Sequence, residues 1–387
     1  MKIARVAVLT HIDLPQGGVI RGTTAVIHGW IASNEEPRLE HLSLVNAGGA
    51  VVPLGVVDRP DVRAAKPGYA TTGFAGWIDI RDSGYGPWRL RYENGSGTAA
   101  EIPLSLRADD ADVRQFSETK ARKLGRLRPL LRCPSCREPL ADTERGLRCA
   151  GGHEFAVRPD AFDFLTDEIR ERSGIFRTEN ISGHGYDATL LELIASSDGP
   201  IVDVGAGLRP DYREDVVNLE VVAYPTTDVI AASEYLPFAD ATFDLVISVA
   251  VLEHVRDPFA AARELARIVR PGGRIFAAVP FLQPYHGYPD HYYNMTAAGL
   301  RNLFNGFDVE RLDVPASGHP VFALTWIVRS WLAGLSPQNA SAFAQLRVGD
   351  LVADPMTLLD RPFASELSPT VQAELAALNV LVARKRA

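Results

Sequence analysis

All three cysteines of this 387-residue chain lie in one short stretch, and a histidine follows them at metal-binding spacing. Cys-x2-Cys places two thiolates on one tight turn, and Cys-x3-His forms a second pair, so the four residues make a Cys3His set suited to a closed tetrahedral zinc site. An odd number of cysteines argues against disulfides, and four protein ligands leave no open position. We therefore predict a structural zinc ion, with a reduced, metal-free loop as the alternative. The predicted ligands are Cys133, Cys136, Cys149 and His153.

A second candidate site begins at IVDVGAGLRP, residues 201–210, which has the pattern of a buried strand followed by a glycine loop. Glycine lets the backbone turn sharply and approach a ligand closely. The dinucleotide fingerprint requires a third glycine, but Arg209 holds that position, so a pyrophosphate ligand fits poorly. S-adenosylmethionine has no phosphates and fits better. Glu220, on the next predicted strand, can accept hydrogen bonds from both hydroxyls of a ribose.

Polar and aromatic residues crowd PFLQPYHGYPDHYYNMT, residues 280–296, which follows a later predicted strand. We predict that this loop holds the molecule that accepts a methyl group from the cofactor. The alternative is an ordinary surface loop. A neutral imidazole suits the removal of a proton from a hydroxyl, so His286 or His291 is the predicted catalytic base, and the sequence does not rank them. His254 is a weaker candidate. The crowded residues are Tyr285, His286, Tyr288, Asp290, His291, Tyr292, Tyr293 and Asn294.

Alternating strand and helix patterns must position these residues. From about residue 170, strand-like runs occur at PIVDVG, VVNLEVV, FDLVISVA, GRIFAAVP, GFDVERLDV and NVLVARKRA, and DPFAAARELARIVRPGG has one apolar helical face. This alternation predicts an α/β fold with a doubly wound, mostly parallel sheet that binds ligands at the carboxyl ends of its strands. The gap between the first two strands is short, so the first crossover helix must be truncated. That opens the cofactor site to NISGHGY, residues 180–186.

The first 110 residues have a different pattern. About seven short β-rich runs are separated by turn residues, including the hairpin signal Asn94-Gly95, and they predict an N-terminal all-β sandwich. A basic helical linker is predicted at 111–132, either as a solvated helix or as a strip that binds phosphate or lipid headgroups. The zinc-binding module follows at 133–166, and the α/β domain covers 170–387.

Residues 200–282 resemble class I S-adenosylmethionine-dependent methyltransferases, in particular the subgroup with the motifs LPF, FDLV and LEH, which occur here at 236–238, 243–246 and 252–254. The resemblance continues to about residue 310 through RIVRPGGRIFAAVPF and TAAGLRNLF. Many relatives hold the adenine amino group with an Asp where this chain has Ala232, so backbone amides or Ser233 are expected to replace it. The resemblance implies a Rossmann-like fold and a cofactor bound by Asp203, Gly205, Ala206, Gly207, Glu220, Ser233, Glu234 and Ser248.

Two other segments resemble known modules. CPSCREPL…LRCAGGHEFAVRPDAFDFL is similar to the zinc-binding module of some methyltransferases and of the short protein that activates tRNA methyltransferases. HIDLP…VIRGTTAVIHGWI and RPDVRAAKP…TGF resemble β-sandwich modules on bacterial enzymes that build cell-surface polysaccharides. Together these resemblances imply an O-methyltransferase of a glycan or glycan precursor, with other polysaccharide-assembly enzymes as candidate partners.

Composition narrows the class of partner. The net charge of −8 argues against a broad nucleic-acid-binding surface, although the zinc module keeps an RNA methyltransferase as an alternative. A methyltransferase of small molecules or lipids and a non-enzymatic scaffold are two further hypotheses. The apolar run PVFALTWIVRSWLAGL contains Arg329 and is too short to span a bilayer, so we expect at most peripheral membrane contact. The apolar run near the first residue is too short for a secretory signal, and we expect a cytoplasmic protein.

Overall fold

The computed structural model describes residues 8–20, 24–33, 42–80, 86–93, 99–108, 110–144, 146–176, 182–183, 185–209, 212–287, 290–381 and 384. The hairpin turn predicted at Asn94-Gly95 and the loop residue Tyr288 lie outside these ranges. Within them the chain forms an N-terminal all-β region, a long helix and a larger α/β region.

Seven antiparallel strands form the N-terminal sheet, in the order β1-β3-β6-β5-β4-β7-β8. These are β1 (Val8–Leu14), β3 (Thr24–Ser33), β4 (Leu42–Asn46), β5 (Val51–Val57), β6 (Ala70–Asp79), β7 (Trp88–Glu93) and β8 (Ala99–Leu104). Strand β5 pairs with β4 through residues 51–54 and with β6 through residues 55–57, so it joins two halves of the sheet. Ile27 and Phe74 of one half and Leu44 and Trp88 of the other lie in one buried cluster. The all-β prediction is confirmed, and the two-layer packing of a sandwich stays a prediction.

Three short elements complete this region. Strands β2 (Val19–Ile20) and β9 (Arg107–Ala108) pair in parallel, and a short helix, α1 (Pro60–Ala65), precedes β6. Helix α1 begins at a proline, which is favoured at a first helical position. The sequence patterns of this region predicted strands only.

The basic helix α2 (Asp110–Leu127) packs against the α/β region. Two of its lysines, Lys120 and Lys123, are only 3% exposed. Lys120 Nζ donates a 2.8 Å hydrogen bond to the carbonyl oxygen of Thr227, and Lys123 Nζ lies 2.5 Å from a carboxylate oxygen of Asp228. The interpretation as a solvated helix is therefore wrong for these lysines, and they are not available to a phosphate. Periodicity places a lysine on a helix face but does not show which face another element covers.

Replacing Lys123 with Met is expected to destabilise the protein by about 3–5 kcal/mol, because it leaves a buried carboxylate without its counter-charge. Asp228 is fully buried. Chemical denaturation measures the loss. Arg122→Met, on the exposed side of the same helix, is the matched control and should cost less than about 1 kcal/mol, since Arg122 meets Glu214 at the surface. Equal losses in the two variants would contradict the buried ion pair.

Nine strands form the second sheet, in the order β10-β11-β12-β13-β16-β15-β14-β17-β18. They are β10 (Leu140–Thr143), β11 (Gly146–Cys149), β12 (Glu154–Arg158), β13 (Ala161–Asp163), β14 (Ile201–Val204), β15 (Val216–Glu220), β16 (Val229–Ile230), β17 (Phe243–Val249) and β18 (Val269–Ala278). The pairings from β13 across to β18 are parallel, and those among β10 to β13 are antiparallel. The predicted parallel core is confirmed, within a mixed sheet.

The segment predicted as a zinc module is continuous with this sheet. Strand β13 pairs in parallel with β16, with Phe162 opposite Val229. Cys133 and Cys149 share one buried hydrophobic cluster with Leu219 of the parallel part. The domain boundary predicted near residue 166 therefore separates two segments that share one sheet and one hydrophobic core. Strand patterns identify short strands but not their neighbours, so the sequence could not show this connection.

Helices cover the parallel strands and the residues after them. They are α3 (Asp167–Ser173), α4 (Ala188–Ala195), α5 (Pro258–Ile268), α6 (Ala297–Leu303), α7 (Pro320–Ala333), α8 (Pro337–Phe343), α9 (Val348–Leu351), α10 (Pro362–Ser365) and α11 (Pro369–Glu374). Helix α5 confirms the helix predicted from its apolar face, since Ala261, Leu265 and Ile268 lie in the core. In residues 205–209 and 212–215, which are the described part of the connection between β14 and β15, there is no helix. The truncated first crossover is therefore as predicted.

The last two predicted strands are not formed where the structure describes them. Residues 306–314 are irregular, and so are residues 379–381, while most of the remaining run to 387 lies outside the described ranges. Val309 and Val314 are 49% and 67% exposed. An apolar, β-branched run favours a strand only when a neighbouring strand is available to pair with it, and pairing is a tertiary property. Among the described helices, none is both long and apolar enough to cross a membrane.

Candidate functional site

The glycine loop lies where β14 ends. Gly205 and Gly207 have φ values of 81° and 62°, in the left-handed region that favours glycine. The N–H groups of Gly205 and Ala206 donate 2.9 and 3.0 Å hydrogen bonds to the carbonyl oxygen of Leu219 in β15. A Cβ atom on Gly205 would overlap the side chain of Val251, which follows β17. The loop is therefore held between two neighbouring strand ends, and a side chain at Gly205 has no room.

Glu220 ends β15 beside this loop and is 7% exposed. Its carboxylate accepts hydrogen bonds from the N–H groups of Gly207 and Val221, at 2.8 and 2.7 Å. Burial raises the pKa of this carboxyl. The Val222 N–H is a third neighbouring donor, and a carboxylate has about four lone-pair directions, so about one or two remain for further donors. The structure thus brings Glu220 to the glycine loop with capacity to accept the hydroxyls of a ribose.

Asp203, at the end of β14, is fully buried. Its Oδ2 accepts a 2.7 Å hydrogen bond from the Tyr186 hydroxyl and forms an ion pair with Arg209. The Arg209 guanidinium also lies 4.2 Å from the centroid of the Tyr186 ring. Its Oδ1 has no hydrogen-bond partner in the described part of the chain. Arg209 therefore neutralises a buried carboxylate at the position of the missing third glycine. Tyr186 is the last residue of NISGHGY, so the end of that segment contacts the predicted cofactor residue Asp203.

The other predicted cofactor residues lie at neighbouring strand ends. Ser248 is in β17, opposite Ala277 of β18, and is 2% exposed. Ser233 and Glu234 follow β16, and the Ser233 hydroxyl donates a 3.3 Å hydrogen bond to Glu234. Burial raises the pKa of Glu234. All three lie at the carboxyl edge of the parallel strands, but within the described ranges no hydrogen bond joins them to the glycine loop.

The predicted zinc ligands converge. Cys149 Sγ lies 3.6 Å from Cys136 Sγ and 3.3 Å from His153 Nδ1, and Cys133 Sγ lies 3.5 Å from the same nitrogen. All four ligand atoms lie within 4.8 Å of one another. A tetrahedral zinc with bonds of about 2.3 Å to sulfur and about 2.0 Å to nitrogen spaces its ligand atoms roughly 3.5–3.8 Å apart. The donor set and its spacing fit a closed zinc site.

Three histidines converge after β17 and β18. The ring centroids of His254 and His286 are 4.9 Å apart, and the ring centroid of His291 lies 4.4 Å from that of His286 and 5.6 Å from that of His254. The Nδ1 atoms of His254 and His286 lie 2.7 and 2.9 Å from the carbonyl oxygens of Asp290 and Pro284. A carbonyl only accepts, so both Nδ1 atoms carry hydrogen, and in the neutral imidazole both Nε2 atoms carry a lone pair. We call His254, His286 and His291 the histidine cluster.

His291 has the opposite arrangement. Its Nε2 lies 3.0 Å from Asn294 Oδ1, which accepts, so its lone pair is on Nδ1. This Nδ1 is buried and has no hydrogen-bond partner among the described residues. Burial lowers the pKa of both His291 and His254, which favours neutral imidazoles. The two predicted bases therefore differ in tautomer, with the lone pair on Nδ1 in His291 and on Nε2 in His286.

Glu253 is a buried acidic residue to which the sequence patterns assigned no role. It is fully buried beside the histidine cluster, and neither carboxylate oxygen has a hydrogen-bond partner in the part of the chain that is described. Burial raises the pKa of this carboxyl to about 7. Its Oε1 lies 3.9 Å from His254 Nε2. In the sequence, Glu253 stands out only because it precedes His254 in the LEH motif. Its position in the motif does not show that its side chain is buried.

A cavity of about 290 Å³ opens beside the histidine cluster. Tyr285 and His286 line it from the predicted acceptor loop, and Trp326 and Arg329 line it from α7. His286 therefore belongs to both the cavity and the cluster. The apolar run that forms α7 therefore lies beside the predicted acceptor loop.

Known proteins are similar to the part of the chain that holds the glycine loop. A family model described as a methyltransferase domain matches residues 202–277. The chain is 31% identical over 150 residues to an uncharacterized methyltransferase of Mycolicibacterium paratuberculosis, covering 36% of this chain and 56% of that protein. It is 34% identical over 134 residues to an uncharacterized methyltransferase of Mycobacterium avium, covering 31% and 53%. The chain thus spans about half the length of these curated relatives.

A solved S-adenosylmethionine-dependent methyltransferase of Thermotoga maritima is 20% identical, covers 30% of this chain and 69% of that one, and has a TM-score of 0.25. The family match is stronger, because residues 202–277 hold the glycine loop, Glu220 and the LPF, FDLV and LEH motifs. The chain therefore contains a methyltransferase domain of the class I, S-adenosylmethionine-dependent kind.

Proposed function

We propose that this protein is an S-adenosylmethionine-dependent methyltransferase that O-methylates a hydroxyl of a glycan or glycan precursor. The observation that carries the proposal is the meeting of two sites at one sheet edge. Val251 lies close enough to Gly205 that a Cβ atom there would overlap it, and Glu253 and His254 of the second site follow Val251 after one residue. A cofactor loop and an acceptor site must adjoin in this way, because methyl transfer requires the two reactants to be aligned.

The residues at the glycine loop fit the cofactor. When bound, S-adenosylmethionine supplies a methyl group already activated on a sulfonium. Glu220 has free lone pairs for ribose hydroxyls, and Asp203 Oδ1 is a buried acceptor with no hydrogen-bond partner within the described ranges. Arg209 compensates the charge of Asp203. Ser233, Glu234 and Ser248 would complete the pocket from the neighbouring strand ends.

His291 is the base that the geometry favours. Its Nδ1 is buried and has no hydrogen-bond partner among the described residues, and its ring centroid lies 4.4 Å from that of His286. A hydroxyl that attacks a methyl group must lose its proton, and a positioned imidazole can accept it. The sequence proposed either His286 or His291 for this role.

The cavity supports a sugar as the acceptor. Trp326 and Tyr285 offer aromatic surfaces to the apolar faces of a sugar ring, and Arg329 and Glu374 offer polar groups to its hydroxyls. The Glu374 carboxylate already accepts a 2.6 Å hydrogen bond from Ser330. We further propose that other polysaccharide-assembly enzymes are partners, because of the resemblance of the N-terminal β region, and that the protein acts in the cytoplasm.

We also propose that Cys133, Cys136, Cys149 and His153 bind one structural zinc. The support is the donor set and its spacing, together with the place of Cys133 and Cys149 in the core that the parallel strands share. Four protein ligands leave no position for a substrate, so this site would hold the fold and take no part in methyl transfer.

Replacing His291 with Ala is expected to reduce turnover about a hundredfold or more and to leave cofactor affinity nearly unchanged, because only the proton acceptor is lost. Turnover is measured with labelled S-adenosylmethionine and separate glycan, RNA and lipid extracts, and affinity by calorimetry. His11→Ala, in the N-terminal sheet, is the control. Labelling of RNA or lipid instead of glycan would overturn the glycan assignment, and wild-type turnover of His291→Ala would place the base elsewhere.

A further inference from the structure

We propose that Glu253, His254 and His286 form a second metal site, which binds a divalent transition-metal cation beside the acceptor cavity. The site itself rests on the geometry of these side chains. Its role in methyl transfer rests on the proposed function.

The three donor atoms already face one another. One ligand atom from each of Glu253, His254 and His286 lies within 4.8 Å of the others. The Nδ1–H groups of both histidines are held by carbonyl oxygens, so both Nε2 lone pairs are available. Metal-binding histidines commonly donate their other N–H group to a carbonyl in this way, which fixes the ring orientation. Small side-chain rotations would bring these atoms to bonding distance.

Glu253 provides the independent observation. Its side chain is 0% exposed, and neither oxygen accepts a hydrogen bond from any described residue. An ionised carboxylate buried without a partner is strongly unfavourable, so buried carboxylates are normally paired or coordinate metals. The nearest cationic candidate is His254, whose Nε2 is 3.9 Å away. A cation between Glu253 and the two imidazoles would satisfy all three groups together.

The donor set indicates the class of cation. Two imidazole nitrogens and one carboxylate suit zinc, iron(II), cobalt(II) or manganese(II), whereas calcium and magnesium prefer oxygen ligands. Three protein ligands also leave open positions, as catalytic metal sites require and the Cys3His site does not provide. Because His286 lines the cavity, those positions would face the acceptor.

This placement gives the cation a role in the proposed reaction. An acceptor hydroxyl bound at an open position becomes more acidic. Its proton would pass to Nδ1 of His291, whose ring centroid is 4.4 Å from that of His286. The acceptor oxygen would then bond to the methyl carbon as the carbon–sulfur bond breaks, and the electron pair of that bond would stay on sulfur. The products are the methyl ether of the acceptor and S-adenosylhomocysteine. Since the proton is held on His291, atoms and charge balance.

The test uses the full chain with zinc retained at the cysteines, titrated with Co²⁺ after a weak chelator has removed loosely held metal. Cobalt binds less tightly than zinc, so it should not displace zinc from thiolates. Wild-type protein is expected to bind one equivalent and to show visible cobalt absorption without a sulfur charge-transfer band. Glu253→Gln and His286→Ala should each weaken Co²⁺ binding by at least about a hundredfold. His11→Ala is the matched control and should bind as wild type.

Two outcomes overturn the site: no saturable Co²⁺ binding by the wild type, or Glu253→Gln and His286→Ala proteins that remain folded by circular dichroism and bind as tightly as wild type. Calorimetry with S-adenosylmethionine on the same samples separates the two proposals. Cofactor binding without cobalt binding would leave the methyltransferase function standing and remove the metal site. Cobalt binding without cofactor binding would leave the metal site standing and remove the methyltransferase function.

Discussion

Replacing Cys149 with Ser is expected to unfold the segment at residues 133–166 and to loosen the neighbouring edge of the parallel sheet. Structural zinc contributes about 10–16 kcal/mol to the folding of small zinc modules, and a whole domain is stable by only about 5–15 kcal/mol. Losing one thiolate therefore removes more free energy than the segment can spare. Because β13 pairs with β16 and Cys149 lies in the shared core, the loss should extend into the methyltransferase domain.

Metal analysis and thermal unfolding test this expectation together. The wild type should contain one tightly held zinc, and the Cys149→Ser protein should retain well under one and melt at a markedly lower temperature. Ser135→Ala, between two ligands but not itself one, is the control and should keep both the zinc and the melting temperature. A Cys149→Ser protein that lacks zinc yet has the melting temperature of the wild type would show that the cysteines do not stabilise the fold.

Replacing Gly205 with Val is expected to abolish binding of S-adenosylmethionine. The backbone there has a φ of 81°, and a Cβ atom would overlap Val251. The substitution therefore strains the loop and also forces it away from Val251, which follows β17. Calorimetry should detect no binding at concentrations that saturate the wild type.

Gly272→Val separates strain from position. Gly272 has a φ of 76°, but a Cβ atom there meets nothing within 4 Å. That variant should be strained to a similar degree and still bind the cofactor. Circular dichroism checks that both variants are folded. Cofactor binding by Gly205→Val would remove the glycine loop from the site, and a wild type that binds no cofactor would favour a non-enzymatic scaffold.

Local patterns were sufficient for the elements that carry the glycine loop. The buried run before Gly205, the apolar face of α5 and the short connection after β14 each describe a chain segment by itself. Such segments have a strong period or a fixed turn, and neighbours do not change them. The Cys3His set is of the same kind, because its two ligand pairs are close in sequence. These features predicted the parallel core and the group of residues around Glu220.

Pairing and burial were decided by the tertiary structure. Residues 306–314 have a strand-like pattern but no partner strand, so they stay irregular. Lys123 has a helix-surface pattern, but the strand ends beside α2 bury it against Asp228.

The predicted acceptor loop shows the same division. The sequence placed His286 and His291 in one loop, where either could serve as the base. Only the fold brought Glu253 and His254 from the end of β17 to meet them. Hydrogen bonds to carbonyl and amide oxygens then set different tautomers on the two loop histidines. The sequence thus determined which chemical groups are present, and the tertiary structure decided which atoms are free to react, because burial and hydrogen bonding depend on segments distant in the chain.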